Sequence, residues 1–152
     1  MIRIICVGKI KENYIFKGID EYLKRLNGYQ KIEIVELKEG NNIDITKTIK
    51  TEGEDILSKI NSDDFVITLE IEGKMISSVE LAEKIQNLLT YGKTKIDFII
   101  GGSWGLSDEV KKRSNYALSF SKFTFPHQLM RLVLIEQIYR AFTIINNKEY
   151  HK

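Results

Sequence analysis

Ile99-Ile100-Gly101-Gly102-Ser103-Trp104-Gly105-Leu106 ends an apolar β-run in a glycine-rich loop immediately before a helix start. Three glycines in five residues permit positive φ and remove the Cβ that keeps a ligand off the main chain. A parallel sheet presents its backbone to a bound group in this way. A tight strand-to-helix turn would use the same residues, and this stretch alone leaves both meanings open. A second unusual stretch, Leu118-Ser119-Phe120-Ser121-Lys122-Phe123-Thr124-Phe125-Pro126-His127, leads into a long apolar helix and favours a binding loop.

Outward from that loop, strand and helix patterns alternate along the whole chain. Ile2 to Val7, Lys31 to Leu37, Phe65 to Ile71, Ile96 to Ile100 and Ala117 to Phe123 read as strands. Between them, Glu12 to Leu26 places Ile15, Ile19, Tyr22, Leu23 and Leu26 on one helical face. Thr46 to Ile60 reads as a charged helix weakened by Gly53, its polar face solvated. Ser77 and Glu80 form a capping box for the next helix, and Ser107 caps a short one. Pro126 suits the first position of the last helix, and Glu39-Gly40-Asn41-Asn42 is a surface loop. Residues 1–152 are therefore expected to form a single α/β domain, with a mostly parallel sheet and helices on both faces. Ligands bind such sheets at the carboxyl ends of strands, so the candidate loops are Leu69 to Gly73, Gly101 to Gly105 and Phe120 to Pro126.

Composition narrows the function. The chain has 152 residues, 43% hydrophobic and 29% charged, enough for a real core. With 23 Lys+Arg against 21 Asp+Glu, the net charge of +2 predicts only modest electrostatic capture of naked nucleic acid. One cysteine and two histidines cannot supply the usual four ligands of a structural zinc site, so no metal is expected. Cys6 lies in the first apolar run, a structural position, and its solitude favours a reducing compartment. The start Met1-Ile2-Arg3-Ile4-Ile5 resembles a strand rather than a secretory leader; a cytoplasmic protein without membrane insertion is expected.

The last helix, His127 to Asn146, is apolar on nearly all sides. Its own sheet covers one side, and a second copy of the chain is the most economical cover for the other, so a homodimer is expected. Arg131 shares the apolar stripe of Ile135, Ile138, Phe142 and Ile145. A guanidinium there must be paired or must line a cleft. It either meets a substrate or forms an interface salt bridge, for instance with Glu136 of a second copy.

Several segments together resemble the RlmH family. They are Thr68-Leu69-Glu70-Ile71-Glu72-Gly73-Lys74, Phe98-Ile99-Ile100-Gly101-Gly102, Arg113-Ser114-Asn115-Tyr116-Ala117-Leu118-Ser119, Thr124-Phe125-Pro126-His127, Arg131, Leu134-Ile135-Glu136-Gln137-Ile138-Tyr139-Arg140-Ala141 and Tyr150-His151-Lys152. These are small SPOUT-class methyltransferases of 23S ribosomal RNA that act on N3 of a pseudouridine. The resemblance implies a deep trefoil knot at the carboxyl end, an exception to the unknotted rule. It further implies S-adenosyl-L-methionine as cofactor, an obligate homodimer, and the assembled ribosome as substrate. Cofactor contacts carry over to Leu69, Gly101, Phe120, Ser121, Lys122, Phe123, Thr124 and Phe125. Trp104 departs from the Glu or Asn common in relatives, and could stack on adenine or RNA or merely cover the pocket.

Methylating an imide nitrogen requires aligned donor and acceptor and the removal of one proton. Arg131 suits stabilisation of the resulting negative charge, and His127 suits either relay of the proton or positioning of the base. The tail Tyr150-His151-Lys152 offers an aromatic and two cationic groups for RNA contact or for closing the site, which makes His151 the third candidate. The competing class is a non-catalytic nucleotide-binding α/β domain. It lacks a phosphate-binding glycine loop after the first strand, where only Gly8-Lys9 occurs.

Overall fold

The computed structural model describes residues 1–41, 43–93 and 95–152; Asn42, at the end of the expected surface loop, lies outside them. The elements run β1 (Ile2–Val7), α1 (Asn13–Leu26), β2 (Ile32–Leu37), α2 (Ile45–Lys59), β3 (Phe65–Met75), α3 (Ser78–Thr90), β4 (Ile96–Ile100), α4 (Asp108–Arg113), β5 (Tyr116–Ser119) and α5 (His127–Ile145). All strand pairs of the five-stranded sheet are parallel, in the order β2-β1-β4-β3-β5.

Strand periodicity divides the interior in two. Side chains alternate across a strand, so Ile2, Ile4 and Cys6 of β1, with Ile96, Phe98 and Ile100 of β4, join the core under α1, α3 and α5. Ile5, Val7 and Ile99 point to the other face and pack with Ile56 of α2 and Val110 of α4. Strands buried on both faces read as unbroken apolar runs, which is why β1 and β4 are plain in the sequence. Cys6 is fully buried, and burial pushes its thiol up to about 11, so it is an inert part of the core.

Arg3, the one charge in β1, stands opposite Asp97 of β4 in the sheet register. Its Nε and Nη2 donate to the Asp97 carboxylate at 2.8 Å each, and Nη2 also reaches Asp64 at 3.1 Å and the Lys59 carbonyl at 2.8 Å. A buried cation with its donors met is tolerable where a bare one is not.

The helix caps follow their sequence signals. Ser77 and Glu80 complete the capping box of α3, and Ser107 Oγ accepts from Val110 N at 3.2 Å. Asp44 accepts from Thr46 N at 2.9 Å, which starts α2 one residue before the expected Thr46. Pro126 precedes α5 as its N-cap rather than occupying its first turn.

The strands that border the carboxyl end differ from expectation. β3 continues to Met75, but Leu118 pairs with both Leu69 and Lys74, so residues 70–73 bulge out of the ladder. β5 stops at Ser119 instead of Phe123, because residues 120–126 leave the sheet. They run from its β5 edge past the ends of β3 and β4 to β1, where Arg131 donates to the Gly8 carbonyl at 2.9 Å. Nearby, Lys11 N donates to Gln128 at 2.9 Å.

Candidate active site

At the carboxyl ends of β3, β4 and β5 lies a cleft of about 970 Å³. Its walls are the β3 end with its bulge, the β4 loop from Ile100 to Leu106, and the segment from Leu118 to His127 that crosses toward β1. All three candidate loops read from the sequence thus meet in one place.

The β4 loop is a tight turn with Trp104 at its tip. Gly102 and Gly105 bridge, Gly105 N donating to the Gly102 carbonyl at 3.1 Å, and Gly105 has a φ of +88°. Trp104 lines the cleft while remaining 58% exposed. A Cβ on Gly101 would lie 2.9 Å from Leu106 Cδ2 and 3.1 Å from the Gly105 backbone, so a side chain there would crowd the turn.

Behind the turn stands a residue that the sequence pattern concealed. Glu52 of α2 is 3% exposed, although the polar face of this helix was expected to be solvated. Its Oε2 accepts from Gly40 N at 2.8 Å, and its Oε1 has no hydrogen-bond partner among the described residues. A Cβ on Gly102 would sit 2.9 Å from that Oε1. Burial raises the Glu52 carboxyl above its ordinary range. The signal was the spacing Thr48-Glu52-Ile56, a buried helical stripe passing through a charge. Gly53, apparently a weakness of α2, gives α4 close approach: a Cβ there would come within 2.9 Å of Ser107 Cβ.

The crossing segment is pinned to the bulge. The Ser119 hydroxyl donates to the Ile71 carbonyl at 2.8 Å, with the Ser121 carbonyl 3.1 Å away, and Ser121 Oγ accepts from Phe123 N at 3.0 Å. Of the eight residues expected to hold cofactor, Leu69, Gly101, Phe120, Ser121, Phe123, Thr124 and Phe125 line the cleft, and Lys122 does not.

The three candidate catalytic residues occupy different places. His127 lines the cleft beside Gly8, its Nε2 3.5 Å from the point that a Gly8 Cβ would occupy. Burial lowers its pKa, Glu39 opposes that, and Arg131 and Lys11 add to the lowering. Arg131 is 1% exposed and does not line the cleft; Nη1 pairs with Glu36 at 2.6 Å, Nη2 holds the Gly8 carbonyl, and Nε lacks a partner among the described residues. Glu136, the alternative partner in a second copy, is taken within the chain: Arg140 donates to its Oε1 at 2.6 and 3.0 Å.

His151 lies at the far end of α5, where its Nδ1 is 3.1 Å from Arg140 Nη1. The tail is docked rather than frayed, because the Tyr150 hydroxyl donates to Glu136 at 3.0 Å and its ring meets Tyr139 edge-on at 4.7 Å.

The cleft fits S-adenosylmethionine in size and in character. Leu69, Leu118, Phe120 and Phe125 provide apolar walls, the glycine turn provides exposed backbone, and Glu70 and Glu72 place carboxylates where a cationic cofactor would gain from them. Among the described residues no group of His, Cys, Asp and Glu could hold a metal ion, and no helix is long and apolar enough to cross a membrane.

Comparison with known proteins agrees with this architecture. Residues 1–151 match the family model described as a predicted SPOUT methyltransferase. The chain is 58% identical, over 99% of both chains, to a protein of Bacillus pumilus (strain SAFR-032) named "Ribosomal RNA large subunit methyltransferase H". Proteins of the same name from Bacillus cytotoxicus and Bacillus thuringiensis (strain Al Hakam) are 56% and 55% identical, again over 99% of both chains. Among solved structures, a probable methylase family protein from Haemophilus influenzae Rd KW20 superposes with a TM-score of 0.51 at 16% identity, covering 98% of this chain and 67% of that one, a likeness of fold alone.

Proposed function

Because the chain belongs to the SPOUT methyltransferase family, we propose that it transfers a methyl group from S-adenosylmethionine to N3 of a pseudouridine in large-subunit ribosomal RNA. One observation carries this function above all: the β3 bulge, the glycine turn and the crossing segment 120–126 converge on a single cleft with His127 on its wall. The names of the relatives supply the substrate class.

When bound, S-adenosylmethionine supplies an electrophilic methyl group on a cationic sulfur. The chain's own residues hold the reactants in line, exclude water and receive one proton. Leu69, Phe120 and Phe125 would enclose the apolar parts of the cofactor, while the backbone of Gly101 and the crossing segment takes its polar edges. His127, with a pKa lowered by burial, is neutral near pH 7 and able to accept the imide proton at Nε2. Arg131 acts first on the floor of the site, fixing Gly8 and Glu36, and through its field on the negative charge of the substrate.

The working unit is a homodimer. Beyond its buried stripe, α5 leaves Leu132 and Val133 half covered, and an apolar groove of about 290 Å³ opens between Val133, Ile76 and Phe125. A second copy would fill such a surface. From His127 to Arg140 is roughly 20 Å of helix, so His151, held by Arg140, joins a site only across the dimer axis. The modest net charge of +2 suits docking on the shape of an assembled ribosome in the cytoplasm rather than on free strands.

The test is transfer of labelled methyl to ribosomes and, separately, to free ribosomal RNA, both from cells lacking this protein. Label on the assembled particle at one pseudouridine is expected. Clear cofactor binding without label on either acceptor would refute the substrate.

A further inference from the structure

One more acidic residue reaches this site. Glu39, in the loop after β2, is half-buried, and its Oε1 lies 3.5 Å from the hydroxyl of Ser103 in the glycine turn. Its Oε2 lies 3.9 Å from the point that a Cβ on Gly8 would occupy, and His127 Nε2 lies 3.5 Å from the same point. Carboxylate and imidazole therefore border the same space above Gly8, a residue with no side chain. Gly8 has a φ of +94°, which disfavours any L side chain there.

We infer that Glu39 is a positioning residue for His127, the counter-charge across Gly8 that stabilises the imidazolium formed when the ring takes the imide proton. This rests on the methyl transfer proposed above. In the step, the N3–H bond breaks and its proton passes to His127 Nε2. The electron pair left on N3 forms the bond to the methyl carbon, and the carbon–sulfur bond breaks with its pair remaining on sulfur. The imidazolium, beside Glu39, then returns its proton to water.

The charges around His127 make Glu39 the one that acts in this direction. Lys11, from the segment after β1, and Arg131, one turn along α5, both oppose a positive imidazole, as does burial. Glu36 is engaged by Arg131. Glu39 alone among the groups that bear on the ring favours its protonated form.

Two histidines, His127 and His151, make the test direct. Their imidazole resonances are followed against pH in the full-length apoprotein, with His151→Asn to assign them. Glu39→Gln should move the His127 titration to lower pH and leave that of His151 in place, and Glu39→Asp should restore it. The acid limb of methylation on ribosomes should move to lower pH with a reduced plateau, whereas a loss of packing would lower the rate without moving the limb. An unmoved His127 titration in Glu39→Gln, alongside an inactive His127→Asn, would overturn the role of Glu39 alone. Full turnover by His127→Asn in an intact dimer would overturn the proton transfer as well.

Discussion

Gly73→Ala should damage this protein more than any other single added methyl group at its cleft. A Cβ on Gly73 would sit 2.8 Å from both the carbonyl carbon and oxygen of Ala117 and 2.9 Å from the carbonyl carbon of Leu118. Carbon atoms pack best at about 3.5–4.0 Å, and these neighbours are backbone, so no rotamer change relieves the overlap. β3 and β5 must separate at the bulge. Overpacking of this kind costs about 1–3 kcal/mol. In a domain of this size each kcal/mol lowers Tm by about 2–4 °C, so a fall of roughly 2–12 °C is expected. Leu69, just before the bulge, and Leu118, opposite it on β5, both line the cleft, so the same shift would misplace the proposed cofactor wall. Misplacement on the order of 1 Å costs about 100-fold in rate. The assays are thermal unfolding at fixed protomer concentration, calorimetric binding of S-adenosylmethionine, and single-turnover methylation. Gly28→Ala is the control, because nothing lies within 4 Å of its added Cβ. It should leave stability unchanged or raise it by about 0.4–1 kcal/mol. A Gly73→Ala protein with wild-type Tm and cofactor affinity would refute the steric argument.

Three further substitutions probe the supports of the site. Arg131→Met strands Glu36 and frees the Gly8 carbonyl; since the Glu36 side chain is 39% exposed and can be hydrated, the loss should be about 3 kcal/mol, the low end for a broken buried pair, read as a urea midpoint. Glu52→Gln tests the sign of a linkage. The folded-state pKa of Glu52 is raised, so the unfolded chain releases its proton first, and stability falls as pH rises from about 4 through the folded value. The variant should lack that fall, so a stability difference from wild type that is constant with pH would exclude it. Deletion of residues 150–152 removes the Tyr150 contacts with Glu136 and Tyr139. It should spare dimer and cofactor affinity, measured by ultracentrifugation and calorimetry, and abolish methylation of ribosomes.

Local chemistry made the elements legible, and long-range pairing hid the rest. β1 and β4 declared themselves because both of their faces are buried, and Ser77 and Ser107 because a cap is a contact within three residues. Leu69 to Gly73 is legible as a loop, but the resumption of the strand beyond it to Met75 is not, since the offset exists only in the register with β5. Leu118-Ser119-Phe120-Ser121 alternates as a strand does, yet the chain leaves the sheet after Ser119 to cross toward β1. The apolar stripe placed Arg131 in the interior correctly, but its partners Glu36 and Gly8 lie 95 and 123 residues away, beyond any local pattern. Glu52 escaped because a charged helix face is ordinarily wet.

The crossing segment explains how one site can be rigid where chemistry needs it and open where a ligand must enter. At one end it is fastened to the bulge by Ser119 on Ile71. At the other, the first turn of α5 is fastened to the loop after β1 through Gln128 on Lys11 N and Arg131 on the Gly8 carbonyl. Phe123, between these anchors, is 79% exposed, while Phe125 is 38% exposed and partly covered by the chain. Folding therefore fixes both ends of the strap and, on the proposed function, leaves Phe123 at its middle to be buried by ligand. Apolar burial at about 25 cal/mol per Å² then appears as binding free energy rather than folding free energy. His127 stands at the anchored end, so its ring is placed before any substrate arrives; in the proposed methyl transfer this is the condition for preorganised proton transfer.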